Sequence, residues 1–304
     1  MKHLRERAGV LAAVRRFFDA RDFVEVQTPV MVPSPGLDLH LDAFAVVGGD
    51  RGAPRWLVTS PEYQMKRLVG DGWRRIYQIA PCFRRDEAGP RHNPEFTMVE
   101  WYRAHGGVDD VIRDTEQLVA AVTGGAVQLG PRTIDVRPPF ARISVCDAFA
   151  RFVGWSKDET LSAAANDEER YFRALVDGVE PALERMDAAV VLEDYPVSQA
   201  ALARPKPGAP ELAERFEVYV AGVELCNGFG ELVDGREQRA RLERDQQARR
   251  ARGLAEYPID ERFVEAVSRM PPTAGNALGL DRLAALACGT TEIASVMAFT
   301  ADEV

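Results

Sequence analysis

Apolar residues recur every three to four positions at the start of the chain. Leu4, Ala8, Leu11, Val14 and Phe18 share one side of a helical wheel, with Arg5, Arg7, Arg15 and Asp19 elsewhere. This spacing predicts an amphipathic helix from the first residues, ended by Asp22. Residues 23–32 are rich in β-branched side chains and read as a strand interrupted by Pro29. Residues 33–54 are rich in Pro and Gly and read as loop, with a short strand around 44–47. A strand near 56–59 runs into SPEYQMKRLV, a helix read with Ser60 as N-cap and Pro61 at its first position.

Residues 75–85 and 95–102 read as two strands joined by the loop DEAGPRHNP. Helical stretches follow at about 108–123 and 144–151, and 156–190 is helical with polar faces. Residues 204–214 form a Pro-rich break, 216–232 is strand-like, and 236–252 is a highly charged helix with Pro258 shortly after its end. A short helix at 260–269 precedes a buried strand at 275–280, which leads into a helix at 281–288. Strands that meet as hairpins with helices between them predict an α+β fold around a mixed, mainly antiparallel sheet.

With 304 residues the chain can bury a large core without disulfides or metals. No apolar run approaches the length of a membrane span, and MKHLRERAGV lacks the apolar stretch of a secretion signal. The four cysteines (Cys82, Cys146, Cys226, Cys288) are far apart and the four histidines show no metal-ligand spacing. Both facts argue against a zinc ribbon or disulfide scaffold and suit a reducing, cytoplasmic setting. A net charge of −9 disfavours nucleic acid, and hence tRNA, as the main partner, because phosphate contacts demand basic surface.

Candidate chemistry sits in separated segments. FRRDEAGPRHNPEFTMVEWY (83–102) puts an arginine at a strand end and acids just after it. A loop with His92 and Asn93 follows, and then a return strand. Period-two alternation sets Phe96, Met98, Glu100 and Tyr102 on one face of that strand, a floor suited to an adenine ring and a cationic side chain. In GNALGLDRL (275–283) small residues allow close approach to a ligand, and Arg282 on the next helix can reach a phosphate.

With the helix and strand ending at Pro29, these segments resemble, in order, motifs 1, 2 and 3 of the class II aminoacyl-tRNA synthetases. TSPEYQMKRL (59–68), RHNPEFTMVEWY (91–102) and GVELCNGFGEL (222–232) narrow the resemblance to the lysyl branch, across essentially the whole chain. The resemblance implies one catalytic domain over 1–304, with a helical insertion at roughly 156–190. No anticodon-binding barrel is expected, since the motif 1 helix starts within the first residues. That stand-alone form, AGPRHNPEFTM followed by VEWYR, and Ala277 where lysyl-tRNA synthetases have glycine resemble the elongation factor P lysine ligases. These attach β-lysine to a lysine of that translation factor.

The resemblance implies ATP and Mg²⁺ as cofactors, lysine or β-lysine as substrate, elongation factor P as acceptor and a homodimer. Arg84 and Arg282 are implied as the catalytic pair, Arg84 on the α-phosphate and the substrate carboxylate. Arg282, with His92, would hold the β- and γ-phosphates and would cover the adenine face opposite Phe96. The implied ATP site also contains Arg85, Asp86, Asn93, Glu224, Leu225 and Gly279, with Mg²⁺ on Glu224 assisted by Glu231. The implied amino-acid site contains Ser60, Pro61, Glu62, Glu100, Tyr102, Asn227, Glu231 and Ala277. Of these, Glu62 takes the α-side amino group, Glu100, Tyr102 and Glu231 the distal ammonium, and Asn227 the carboxylate region. Four carboxylates in one pocket make sense for a doubly cationic guest plus a metal. Two positions depart from the family: Asp86 stands where motif 2 has glutamate, with Glu87 next, and Gln64 where the subfamily often has histidine.

Overall fold

The computed structural model describes residues 2–48 and 54–304; of the loop expected at 33–54, positions 49–53 lie outside the described residues. The first helix, Leu4–Asp19, turns Val10, Val14, Phe17 and Phe18 inward. Phe18 stacks on Tyr77 at 4.5 Å and meets Trp101 at 5.3 Å. The amphipathic stripe is therefore satisfied by the protein's own sheet, which buries it at about 25 cal/mol per Å² of apolar surface.

Among the described residues, nine strands form the main sheet. Its path runs Val24–Glu25, Arg75–Phe83, Glu95–Ala104, Thr273–Gly279, Val223–Gly230, Ala209–Val220, Val190–Pro196, Ala141–Ser144, with Pro205–Lys206 pairing off this path. Pairing is antiparallel except at the two ends of the path, so the expected mixed sheet is what forms. Side-chain alternation separates two tasks. The face with Tyr77, Val99, Trp101, Ala274 and Leu278 carries the apolar core, roofed by Leu4–Asp19, Val108–Thr123 and Leu280–Ala287. The opposite face carries the polar residues. Along one register row Gln78, Glu100, Ala277, Asn227 and Glu217 stand side by side on five strands.

Several local expectations are corrected. Only Val24–Glu25 and Met31–Val32 pair in the stretch 23–32, because Pro29 has no N–H to donate. The short strands expected near 44–47 and 56–59 form as Ala45–Val46 and Arg55–Leu57. The helix Glu62–Gly70 is capped at Pro61, although Ser60 Oγ still accepts from Glu62 N at 3.2 Å. The Pro-rich break is strand from Ala209 onward, and the stretch 216–232 is two strands, Ala209–Val220 and Val223–Gly230. They are joined at Ala221–Gly222, where both φ angles are positive, as a tight hairpin turn requires. Val190–Pro196 is a further strand, and its partner Ala141–Ser144 precedes the expected helix, here Val145–Phe152. Ala141–Ser144, at the sheet edge, has too few residues for its period to show.

The helical segment expected as an insertion at 156–190 comprises Lys157–Asn166, Glu168–Ala174, a π-helical turn at Leu175–Val179, and Glu180–Glu184, so it ends earlier than expected. It has its own apolar cluster around Phe149, Tyr171, Leu183 and Tyr195 and packs at one end of the sheet.

Candidate active site

The polar sheet face floors a cavity of about 810 Å³. Arg84 enters it from the end of the strand Arg75–Phe83, and Arg282 from the first turn of Leu280–Ala287. Two guanidiniums distant in sequence thus converge on one space. Placement of Arg282 depends on its neighbour Asp281. That buried carboxylate accepts from Thr97 N at 2.6 Å and from Arg7 Nη2 at 2.9 Å, tying the helix to the return strand and to the first helix.

Arg282 Nη1 donates to the Glu224 carbonyl at 2.7 Å, its Nε donates to the Arg91 carbonyl at 3.3 Å, and Nη2 lies 2.7 Å from His92 Nε2. A guanidinium can only donate, so His92 Nε2 is the acceptor and its proton sits on Nδ1. His92 reaches the surface, and partial desolvation, then the charge of Arg282, hold its pKa below the ordinary value. The Phe96 ring, expected under an adenine, is faced by Arg84, 5.1 Å from its centroid, while Arg282, expected over the adenine's other face, is engaged by His92 and the two carbonyls. Arg84 Nη1 lies 3.7 Å from Glu87 Oε2.

Glu224 is half-buried and no hydrogen bond to its carboxylate is formed among the described residues. Burial first, and then the charge of Glu217, push its pKa up to about 7, against the pull of Arg282. A bare carboxylate beside the guanidinium of Arg282 offers the hard oxygen donors that Mg²⁺ takes, whereas Glu217 is occupied by Arg215, Tyr195 and Tyr219. Among the described residues no group of three or more His, Cys, Asp or Glu side chains forms a metal site. Oxygens of a triphosphate would therefore have to complete the shell. The acidic neighbour of Glu224 is Glu217, which the sequence reading missed, and not Glu231.

Glu231 belongs to a separate, deeper cluster. Lys66, 1% exposed, ion-pairs with Glu62 and lies 2.6 Å from Glu231 Oε2. The second contact is close but not aligned as a hydrogen bond, and among the described residues Glu231 Oε1 has no hydrogen-bond partner. Burial raises the pKa of Glu231 to about 7 even though Lys66 opposes it. Burial alone would lower the pKa of Lys66, but Glu231 and Glu62 reverse this and keep it charged. Glu100, also buried, accepts from Ser60 Oγ and from Tyr102 OH, each at 2.6 Å. Its pKa rises to about 8 through burial and then the charge of Glu62, with those two hydrogen bonds opposing.

Of the residues expected from sequence, Ser60, Glu62, Arg84, His92, Asn93, Phe96, Glu224, Leu225, Asn227, Ala277, Gly279 and Arg282 line the cavity. Glu100, Tyr102 and Glu231 lie behind its floor. Arg85 and Asp86 point away: Arg85 pairs with Asp42 at 2.8 Å, and Asp86, 79% exposed at a positive φ, lies beside Arg85 at 3.2 Å. Glu87, not Asp86, faces the cavity. Asn93 is engaged at both ends, donating to the Glu95 carbonyl at 2.6 Å and accepting from Ala301 N at 2.9 Å. Sequence reasoning also missed Lys66, Arg215 and Asp281. The spacing of Lys66 four residues after Glu62 was the available signal.

The fold is that of a class II synthetase catalytic domain. The chain belongs to the family of class II tRNA synthetases (D, K and N), whose profile matches residues 1–303. It is 40% identical, over 99% of its own length and 95% of the relative's, to the elongation factor P–(R)-β-lysine ligase of Erwinia tasmaniensis.

Proposed function

We propose that this protein uses ATP to activate a lysine-type amino acid, (R)-β-lysine foremost, and transfers it to a lysine side chain of elongation factor P. The observation that carries the reading is the convergence of Arg84 and Arg282 on one cavity, beside Glu224 and above a buried set of acids.

A carboxylate oxygen of the amino acid attacks the α-phosphorus of ATP and the bond to pyrophosphate breaks, giving the aminoacyl adenylate. Arg84 neutralises charge on the α-phosphate, and its planar fork also suits the carboxylate. Arg282, held by neutral His92 and two carbonyls, is set in advance for the outer phosphates, so little reorganisation is needed as charge develops. Glu224 would hold Mg²⁺ together with oxygens of the triphosphate, whose charge the ion would neutralise, since Glu217 is taken up by Arg215, Tyr195 and Tyr219. The amine of the acceptor lysine then attacks the carbonyl carbon, AMP leaves, and the amine loses a proton. Glu62 at the cavity wall, with Glu100, Tyr102 and Glu231 behind it, supplies the negative field for two ammonium groups. The Ala277 methyl stands between Glu100 and Asn227 in the register row, where it shapes the pocket toward a displaced amino group.

The reading includes a cytoplasmic homodimer. All four cysteines are free thiols, no helix of the described residues is long and apolar enough to cross a membrane, and Val24, Met31 and Trp73 leave apolar surface exposed. Light scattering checks the dimer: a monomer at micromolar concentration refutes it.

The test of function is ATP–pyrophosphate exchange with α-lysine and both β-lysine enantiomers, followed by transfer to purified elongation factor P. Exchange strongest with (R)-β-lysine and labelling of that factor are expected. No exchange with any isomer overturns the reading, and charging of bulk tRNA overturns the choice of acceptor.

A further inference from the structure

One guanidinium at the cavity wall has no part in the chemistry above. Arg215 lies on the strand Ala209–Val220, beside Asn227, and is held on four sides. Its Nη2 donates to Glu217 Oε1 at 2.6 Å and its Nη1 donates to the Gln199 carbonyl. Its Cζ lies 4.3 Å from the centroid of the Tyr195 ring, and its Nε donates to Asn227 Oδ1 at 3.2 Å. Glu217 is fixed in turn, accepting from Tyr219 OH at 2.8 Å and from Tyr195 OH.

A carboxamide has two orientations of nearly equal shape, differing in which end accepts and which donates. Arginine has no acceptor, so it admits only the orientation that turns Oδ1 toward it; the flipped amide would set NH₂ against N–H. Asn227 lines the cavity, and no hydrogen bond from its Nδ2 is formed among the described residues. The unflipped amide therefore offers its two N–H groups to a guest. The flipped one would offer a carbonyl oxygen, which repels an anion.

We propose that Arg215 is a positioning residue that locks the Asn227 amide so that its NH₂ group donates to the carboxylate of the amino-acid substrate. It thereby makes the site demand a carboxylate as well as ammonium groups. The proposal rests on the amino-acid reading of this cavity. Arg215 itself touches no substrate; it acts through Asn227, with Glu217 and Tyr195 as its brace.

The test compares calorimetric binding of lysine with that of lysinol, which keeps both amines and lacks the carboxylate. Binding needs no turnover, so the outcome is separable from the activation reading. The variant Arg215→Lys keeps a charge opposite Glu217 but has a single ammonium head that cannot serve both Glu217 and Asn227. It is expected to cut the preference for lysine over lysinol by roughly tenfold, the loss of one hydrogen bond to a charged group, with lysinol affinity unchanged. Asn227→Ala is expected to do the same, and the double variant Arg215→Lys/Asn227→Ala to lose no more than Asn227→Ala alone. A preference that survives Arg215→Lys overturns the proposal. So do additive losses in the double variant, parallel losses for lysine and lysinol, or a wild type that binds the two alike. A wild type that prefers lysine yet performs no exchange leaves the proposal standing and removes the activation reading.

Discussion

Lys66 Nζ lies 2.6 Å from Glu231 Oε2, both side chains being 1% exposed, and the same ammonium pairs with Glu62 one helical turn earlier. The buried acids are therefore held by an internal cation, which keeps Glu231 from standing as an uncompensated charge. Removing one partner of such a pair leaves its counter-charge stranded. Lys66→Met is expected to cost about 3–5 kcal/mol in urea unfolding near pH 8. The cost should shrink near pH 6, where Glu231, with its pKa already raised, takes up a proton. An equal cost at both pH values would show that the charge is not what matters.

The raised carboxylates also fix the sign of the pH dependence of binding. Glu100 at about 8, and Glu224 and Glu231 at about 7, lie above the ordinary carboxylate value. Their stabilising contribution is thus fully present below that ordinary value and fades as pH rises through 7 to 8. A dicationic ligand favours the charged forms, so its binding expels protons and tightens with pH. Lysine affinity is expected to rise between pH 6 and 8, by up to about tenfold per pH unit for each fully linked proton. Calorimetry in buffers of different ionisation enthalpy reads the protons released; proton uptake would contradict the assignment.

Gly275 faces Tyr102 across the strand pair, and a Cβ there would come within 2.4 Å of the Tyr102 ring and 2.8 Å of Glu231 Oε1. Tyr102 cannot retreat without losing its hydrogen bond to Glu100. Gly275→Ala should destabilise the protein by about 1–3 kcal/mol, as overpacking does. The KM for the amino acid should rise while that for ATP stays unchanged, because the displaced groups lie on the amino-acid side. A change confined to ATP would place the two subsites the other way round.

At motif 2 the geometry separates two adjacent acids. Glu87 faces the cavity near Arg84, and Asp86 faces out beside Arg85. Asp86→Asn is expected to leave the KM for ATP within about twofold, an exposed pair of this kind contributing about 0–1 kcal/mol. Glu87→Gln should raise it several-fold. The reverse ranking in pyrophosphate-exchange kinetics would return the ATP contact to Asp86.

Much of this protein is written locally. The period of Leu4 to Phe18, the alternation of Phe96, Met98, Glu100 and Tyr102, and the small residues before Arg282 marked helix, strand and cavity-lining segments before any packing was considered. Local pattern could do so because those residues repeat with the period of the element that carries them. Tertiary structure decided who neighbours whom. Whether Glu224 shares its space with Glu217 or Glu231, whether Glu87 or Asp86 turns inward, and that Lys66 and Arg215 brace the acids and the amide depend on strand register and a hairpin turn at Ala221–Gly222. A shift of one residue in that register would exchange the two faces of the sheet, and one-dimensional spacing does not encode the choice.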